Sequence, residues 1–364
     1  MKQHLKQTRA RFLQALAIGA CYVWLIVRPE DASRAAAGAL SLCAKVIVPS
    51  LFPFFVCANL FCALHLAQPL ERSLSGVMQP VFGVPGSGAA ALVVGLTGGY
   101  PSGAQTIAAL YAAGSIDRKS AGRLLLFCNN CGPAFIFGVV GPAVFGSRLA
   151  GLLLYIVHCT SALLLGVFRR KKADALLFEQ SNAAQEAPPA FSAALTASVK
   201  KAGQTALEVC MFVLLFGVLT ALVQSALKVF LPPWAHAALS GILELSGGAA
   251  ALAELALAQR VKFTLASMLL AFGGLSVHAQ TKAVLTPAGL DALPVFLPKL
   301  LHALTAGLLS IPVYRLFEPQ LASSAAFAAC STTAGFALTE LALGVFACLS
   351  FRKMAASNLR RNRV

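Results

Sequence analysis

Between Phe12 and Leu349 the sequence moves through long apolar runs parted by short polar or Gly/Pro-rich interruptions, and it never settles into a period of two. Runs near twenty residues are what a helix needs to cross a bilayer, and the missing alternation argues against an outer-membrane barrel. Ended at charge, Pro or Gly, the runs predict about eight spans, at about 12–27, 39–67, 123–145, 149–168, 205–231, 263–286, 293–317 and 325–350. The second is long enough to be tilted, or broken at Pro49-Ser50-Leu51-Phe52-Pro53. Two further apolar stretches are interrupted: 88–113 by Thr97-Gly98-Gly99-Tyr100-Pro101-Ser102-Gly103, and 235–258 by Glu244-Leu245-Ser246-Gly247-Gly248. Residues 169–200 read as a polar, Ala/Pro-rich linker.

Composition agrees with a membrane protein: of 364 residues 58% are hydrophobic and 12% charged, too little charge to clothe a soluble domain of this size. The net charge of +16 raises nucleic-acid binding, but its placement argues for topology. The basic residues precede the first run, fill 117–123, follow Phe168 and close the chain, as the positive-inside bias requires. Aromatic-basic interleaving is missing, so no nucleic-acid partner is expected. The run 12–27 ends in Arg28-Pro29-Glu30-Asp31 without a small-x-small cleavage site, and is read as a retained span. With the amino terminus, 117–123, the linker and the carboxyl tail all cytoplasmic, stretch 88–113 must enter and leave on one side. It is then a re-entrant hairpin. Irregular backbone survives at that depth only where it lines protein or a water-filled cavity.

The second half repeats the plan. Gly95–Ala104 aligns with Gly241–Ala250 at an offset of 146, and Phe127–Gly132 then falls opposite Gly273–His278. Each half holds one span, one hairpin and two further spans. Three crossings per half is odd, so the halves must be inverted, a pattern that places a transport site near the midplane. The expected layout is a basic segment and first span (1–34), a first repeat (35–168), a cytoplasmic linker (169–203), an inverted second repeat (204–318) and a final span with basic tail (319–364).

Five boxes carry a resemblance: Pro49–Phe54, Gly98–Ala104, Cys128-Asn129-Asn130-Cys131-Gly132-Pro133-Ala134-Phe135-Ile136, Glu244–Gly248 and Phe272–Gln280. Over about residues 35–350 they resemble, in order, the YlbJ (SpoVV) family of sporulation integral membrane proteins, which carries Gate or nucleoside-recognition domains. The resemblance implies a fold akin to concentrative nucleoside transporters. It also implies transport of dipicolinic acid across the outer forespore membrane. In those transporters the first hairpin carries glutamine and glutamate for the nucleoside; Gly-Tyr-Pro-Ser-Gly stands there here, which disfavours a nucleoside.

A flat dianion needs donors for two carboxylates and a slot for a ring. Broken-helix N-termini supply unpaired N–H groups and partial positive charge. The candidate substrate-binding set is Gly99, Tyr100, Ser102, Asn129, Asn130, Ser246, Gly247, Ser276, His278, Gln280 and Lys282. Lys282 is the first choice for pairing with an anion, unless it snorkels to the interface. His278 is a candidate charge switch. The Asn pair also reads as interhelical glue, and the glycines as sites of close packing. Glu244, a carboxylate inside an apolar hairpin, is costly and therefore read as functional. It would hold a coupling proton or sodium ion, or pair with Lys282 or His278. His158 and His302 read as packed or interfacial, and Lys45, Lys299 and Glu340 as span-end groups.

The ten cysteines behave mostly as small hydrophobes; one CxxC, without a second set of ligands, predicts no metal. With no Walker A sequence and no Ser-His-Asp or HExxH arrangement, neither an enzyme nor a cofactor is expected. A carrier of an organic anion, single or homo-oligomeric, competes with a nucleoside or other organic-solute transporter, and with a non-transporting membrane protein that senses a ligand or assembles a partner.

Overall fold

A computed structural model describes residues 2–64, 66, 68–169, 189–227, 230–290 and 293–327. Among them every regular element is helical. The predicted span 325–350 and the basic tail lie almost wholly outside the described residues. Five helical stretches are long and apolar enough to cross a membrane: Pro29–Phe61, Arg148–Phe168, Phe191–Leu227, Gln259–Ala288 and Phe296–Leu321. Arg11–Val27 is apolar but shorter. The chain is a polytopic helical membrane protein.

Helix α1 (Lys2–Val27) is followed by α2 (Pro29–Leu42), which starts on proline with Glu30 and Asp31 in its first turn. Proline there surrenders an N–H that has no partner anyway, and acids suit the positive helix end. A π turn at Cys43–Ile47 carries α2 into α3 (Val48–Ala63). Of the two alternatives for this run, tilted or broken at Pro49–Pro53, the helix is not broken there. The widened turn precedes Pro49, and the Ser50 hydroxyl donates back to the Val46 carbonyl at 2.6 Å, the i→i−4 bond that serines make inside helices.

An amphipathic helix α4 (Gln68–Val77) leads to α5 (Ala89–Thr97) and α6 (Ser102–Ala112), two short helices packed on each other. Next come α7 (Arg118–Phe127), α8 (Pro133–Phe135), a π turn at Ile136–Val140 and α9 (Gly141–Phe145). The predicted span 123–145 is thus two pieces parted by residues 128–132. Asp117 caps α7 by accepting from the Ser120 N–H at 2.8 Å. Burial opposes its charge, but the Ser120 hydrogen bonds and Arg123 outweigh that and hold the carboxyl below its usual range. Arg118 donates to the Gly289 carbonyl at 2.8 Å, and Arg123 to that of Gly83, so this cluster also ties three loops together.

After α10 (Arg148–Phe168), α11 (Phe191–Leu227) begins inside the stretch read as linker. A second short pair, α12 (Pro233–Leu243) and α13 (Leu245–Glu254), is followed by α14 (Gln259–Phe272), α15 (Gly274–Leu285) and the long α16 (Phe296–Phe327). The predicted span 263–286 is likewise broken, at Gly273. The order long helix, short pair, broken helix, long helix occurs twice. The broken α14–α15 is central, with 61% of its apolar window buried, whereas Pro29–Phe61 and Phe191–Leu227 are peripheral at 17%. Those two outer helices pack on each other through Ala39, Cys43, Ile47, Phe55, Ala202, Ala206, Val209 and Val213.

Candidate functional site

Four interruptions of helix define the site. Between α5 and α6 lie Gly98, Gly99, Tyr100 and Pro101; between α7 and α8 lie residues 128–132; Glu244 alone, extended at φ −145°, separates α12 from α13; and Gly273 separates α14 from α15. Gly273 and Gly274 take φ of +81° and +77°, which side chains with a Cβ resist. The offset of 146 places Gly98 opposite Glu244, break on break, and Cys128 opposite Gly274, the residue that follows the break at Gly273.

Missing side chains bring these breaks together. A Cβ on Gly95 or on Gly103 would run into the Cys128 carbonyl, and one on Gly132 would lie 2.9 Å from the Gly99 Cα. In the second half a Cβ on Gly248 would collide with Gly241, and one on Gly274 would sit 3.1 Å from the Leu245 nitrogen. Each short pair therefore rests backbone on backbone against the broken helix that follows it.

All four elements wall one cavity of about 50 Å³. The two tips contribute Gly99, Tyr100, Glu244, Leu245 and Ser246, the first broken helix Cys131 and Gly132, and α15 Gln280. Ile47 at the π turn and Val209 of α11 add apolar wall. That volume is well below the ~300 Å³ of a small-molecule pocket.

Of the predicted residues, Gly99, Tyr100, Glu244, Ser246 and Gln280 line the cavity. Glu244 is 5% exposed; its Oε2 accepts from the Gly247 N–H at 2.6 Å, which makes it the N-cap of α13 and uses the Gly247 donor. Gln280 donates to the Ser276 hydroxyl at 3.2 Å. Ser102 is buried in the first turn of α6. Asn129 donates to the Thr281 hydroxyl at 2.9 Å, tying the first break to α15, and Asn130 donates to the Phe127 carbonyl at 2.6 Å. Their Oδ1 atoms are buried without a partner. His278 sits against Phe272 and Phe296, with Nε2 at 3.0 Å from the Phe272 carbonyl. The Lys282 ammonium donates to the Leu293 carbonyl at 2.6 Å, not toward the tips, and Glu244 pairs with neither Lys282 nor His278 in these contacts.

The structure brings in residues that the pattern did not single out. Lys299, read as a span-end group, is 2% exposed. It donates to the Asn129 carbonyl, and its Nζ lies 5.0 Å from the Tyr100 ring centroid. The Tyr100 hydroxyl reaches the Leu270 and Ala271 carbonyls at 3.3 and 3.4 Å, groups left over at the end of α14. His158 accepts the Cys131 N–H at 3.1 Å on Nε2, and the His302 Nε2 lies 3.1 Å from the His158 carbonyl. Both rings are packed and fully buried, 4.7 Å apart. The signal for this cluster was the pair Lys299 and His302, three apart and so on one face of a helix.

A family model for Gate, described as nucleoside recognition, matches residues 44–168, from the π turn to the end of α10. The chain is also 30% identical over 332 residues to the sporulation integral membrane protein YlbJ of Bacillus subtilis (strain 168), an alignment covering 81% of this chain and 80% of that relative. The chain belongs to the YlbJ family. No solved structure matches it. The five boxes that carried the resemblance are, in structural terms, the prolines behind the π turn, the two tips and the two helix breaks.

Proposed function

We propose that this member of the YlbJ family is a carrier for a small organic anion, dipicolinate foremost, and not an enzyme. One observation supports the reading above all: three backbone breaks, from both halves, line one cavity, and the fourth, at Gly273, packs against the tips that wall it. Interrupted helices at membrane depth cost hydrogen bonds, and a fold that gathers them around one point has a reason to bind there. In this reading α5–α6 and α12–α13 are re-entrant hairpins within inverted repeats, beside about eight spans. Both termini face the cytoplasm, and in a sporulating cell the protein sits in the outer forespore membrane. Glu244 takes the coupling proton or sodium ion. The description of the Gate model favours a second reading, a nucleoside as solute.

Uptake into proteoliposomes, with and without proton or sodium gradients, separates these. Saturable dipicolinate uptake that falls about tenfold or more in Glu244→Gln, with insertion intact, supports the anion carrier. Uridine uptake without dipicolinate uptake reverses the order. Uptake of neither favours a ligand-sensing or assembly protein.

A further inference from the structure

Lys299 sits in the first turn of α16, sealed from solvent. Among the described residues, the titratable and charged groups that face it come from the first tip, the first break, α10, α15 and α16 itself, and none from α14. They are the Tyr100 ring, the Cys128 and Cys131 thiols, His158 on α10, His278 on α15 and His302 on α16 itself. None is a carboxylate. One of its N–H groups meets the Asn129 carbonyl, which offers a dipole but no charge. Tyr100 and Cys131 both line the cavity, so Lys299 stands one side chain behind its wall.

A lone ammonium withdrawn from water is costly unless an anion compensates it. Two events remove the cost: the ammonium gives up its proton, or an anion arrives across Tyr100. We propose that Lys299 is the proton-carrying counter-charge of the cavity, taking up one proton as an organic anion enters and releasing it as the anion leaves. Solute and proton then travel together, in the same direction. The step is a simple transfer: water or buffer gives a proton to the Nζ lone pair, and the ammonium returns it on exit. The inference rests on the anion reading above. It differs from that reading in moving the coupling proton from Glu244 to Lys299.

Linkage gives the sign: if anion binding draws in a proton, lower pH tightens anion binding. Calorimetric titration of the purified full chain with pyridine-2,6-dicarboxylate, in two buffers of different ionisation enthalpy, reads the proton directly. The wild type is expected to take up about one proton per dianion. Lys299→Arg, always charged, is expected to bind with no uptake. Lys299→Met is expected to bind at least about tenfold more weakly, also with no uptake. Binding with no proton uptake in the wild type overturns the inference and leaves the anion carrier standing. Uptake that persists in either Lys299 variant assigns the proton elsewhere and overturns it as well. No binding of the dicarboxylate by the folded wild type defeats the anion reading and the inference together.

Discussion

At the scale of single residues, Glu244 holds two roles that substitution can separate. Its Oε2 caps α13 through the Gly247 N–H, a duty that any acceptor of the same length performs. Glu244→Gln keeps the acceptor and removes the charge, so its melting temperature in detergent is expected to stay near wild type while uptake falls. Glu244→Ala removes both, and is expected to lose about 1 kcal/mol of stability as well. Equal destabilisation of the two variants would mean that the charge itself supports the fold. Glu244 was legible in the sequence because a carboxylate amid apolar residues is conspicuous. Lys299 was not, because a charge six residues past the expected start of a span at 293 looks like a span end. Only the packing of α16 against α10 and the first break encloses it. Lys282 was conspicuous in the sequence as an anion partner or a snorkelling residue; in the structure its stem carries the ammonium to the Leu293 carbonyl, and no spacing rule says where a flexible side chain goes.

At the scale of elements, Gly103, which packs on a break, and Gly203, inside α11, differ sharply. A methyl at Gly103 meets the Cys128 backbone carbonyl, whereas a methyl at Gly203, inside α11, meets nothing within 4 Å. Backbone cannot step aside as a side chain can, so Gly103→Ala is expected to cost at least ~1–3 kcal/mol and to lower the yield of folded, monodisperse protein. Gly203→Ala is expected to be neutral, or to stabilise by up to ~1 kcal/mol through helix propensity. Thermal melts of the two variants in one detergent check this, and similar losses in both would refute backbone packing as the cause. Both short pairs were visible in the sequence, since Gly, Pro and Ser interrupt 97–103 and a carboxylate interrupts 235–258. The breaks at 128–132 and at Gly273 were hidden inside runs apolar enough to read as continuous spans. Asn and Gly occur inside membrane helices too, so hydropathy alone cannot tell a packed Asn pair from an unwound one. The repeat offset held the missing clue, because it set Phe127–Gly132 against Gly273–His278 before either was known to be broken.

At the scale of the whole molecule, the twofold order of elements is observed, and the proposal that the halves are inverted makes a prediction about sidedness. The exit of the first short pair, at Ala113, and that of the second, at Ala256, are both exposed and occupy equivalent places in the order. Parallel repeats would put them on one face of the membrane; inverted repeats put them on opposite faces. The basic cluster Arg118, Lys119 and Arg123 follows Ala113 directly, so the charge bias assigns that exit to the cytoplasm. Single cysteines at these two positions, in a chain whose native cysteines are replaced, are read with a membrane-impermeant maleimide on sealed right-side-out and inside-out vesicles. Ala113→Cys is expected to label in inside-out vesicles alone and Ala256→Cys in right-side-out vesicles alone. Labelling of both from the same side would leave the cavity intact but count against inversion of the halves. In the proposed arrangement an inverted pair gives the cavity two equivalent ways to open: withdrawal of α5–α6 would carry Tyr100 away and leave Glu244 and Gln280 open to one side, and withdrawal of α12–α13 would carry Glu244 away and leave Tyr100 and Gln280 open to the other.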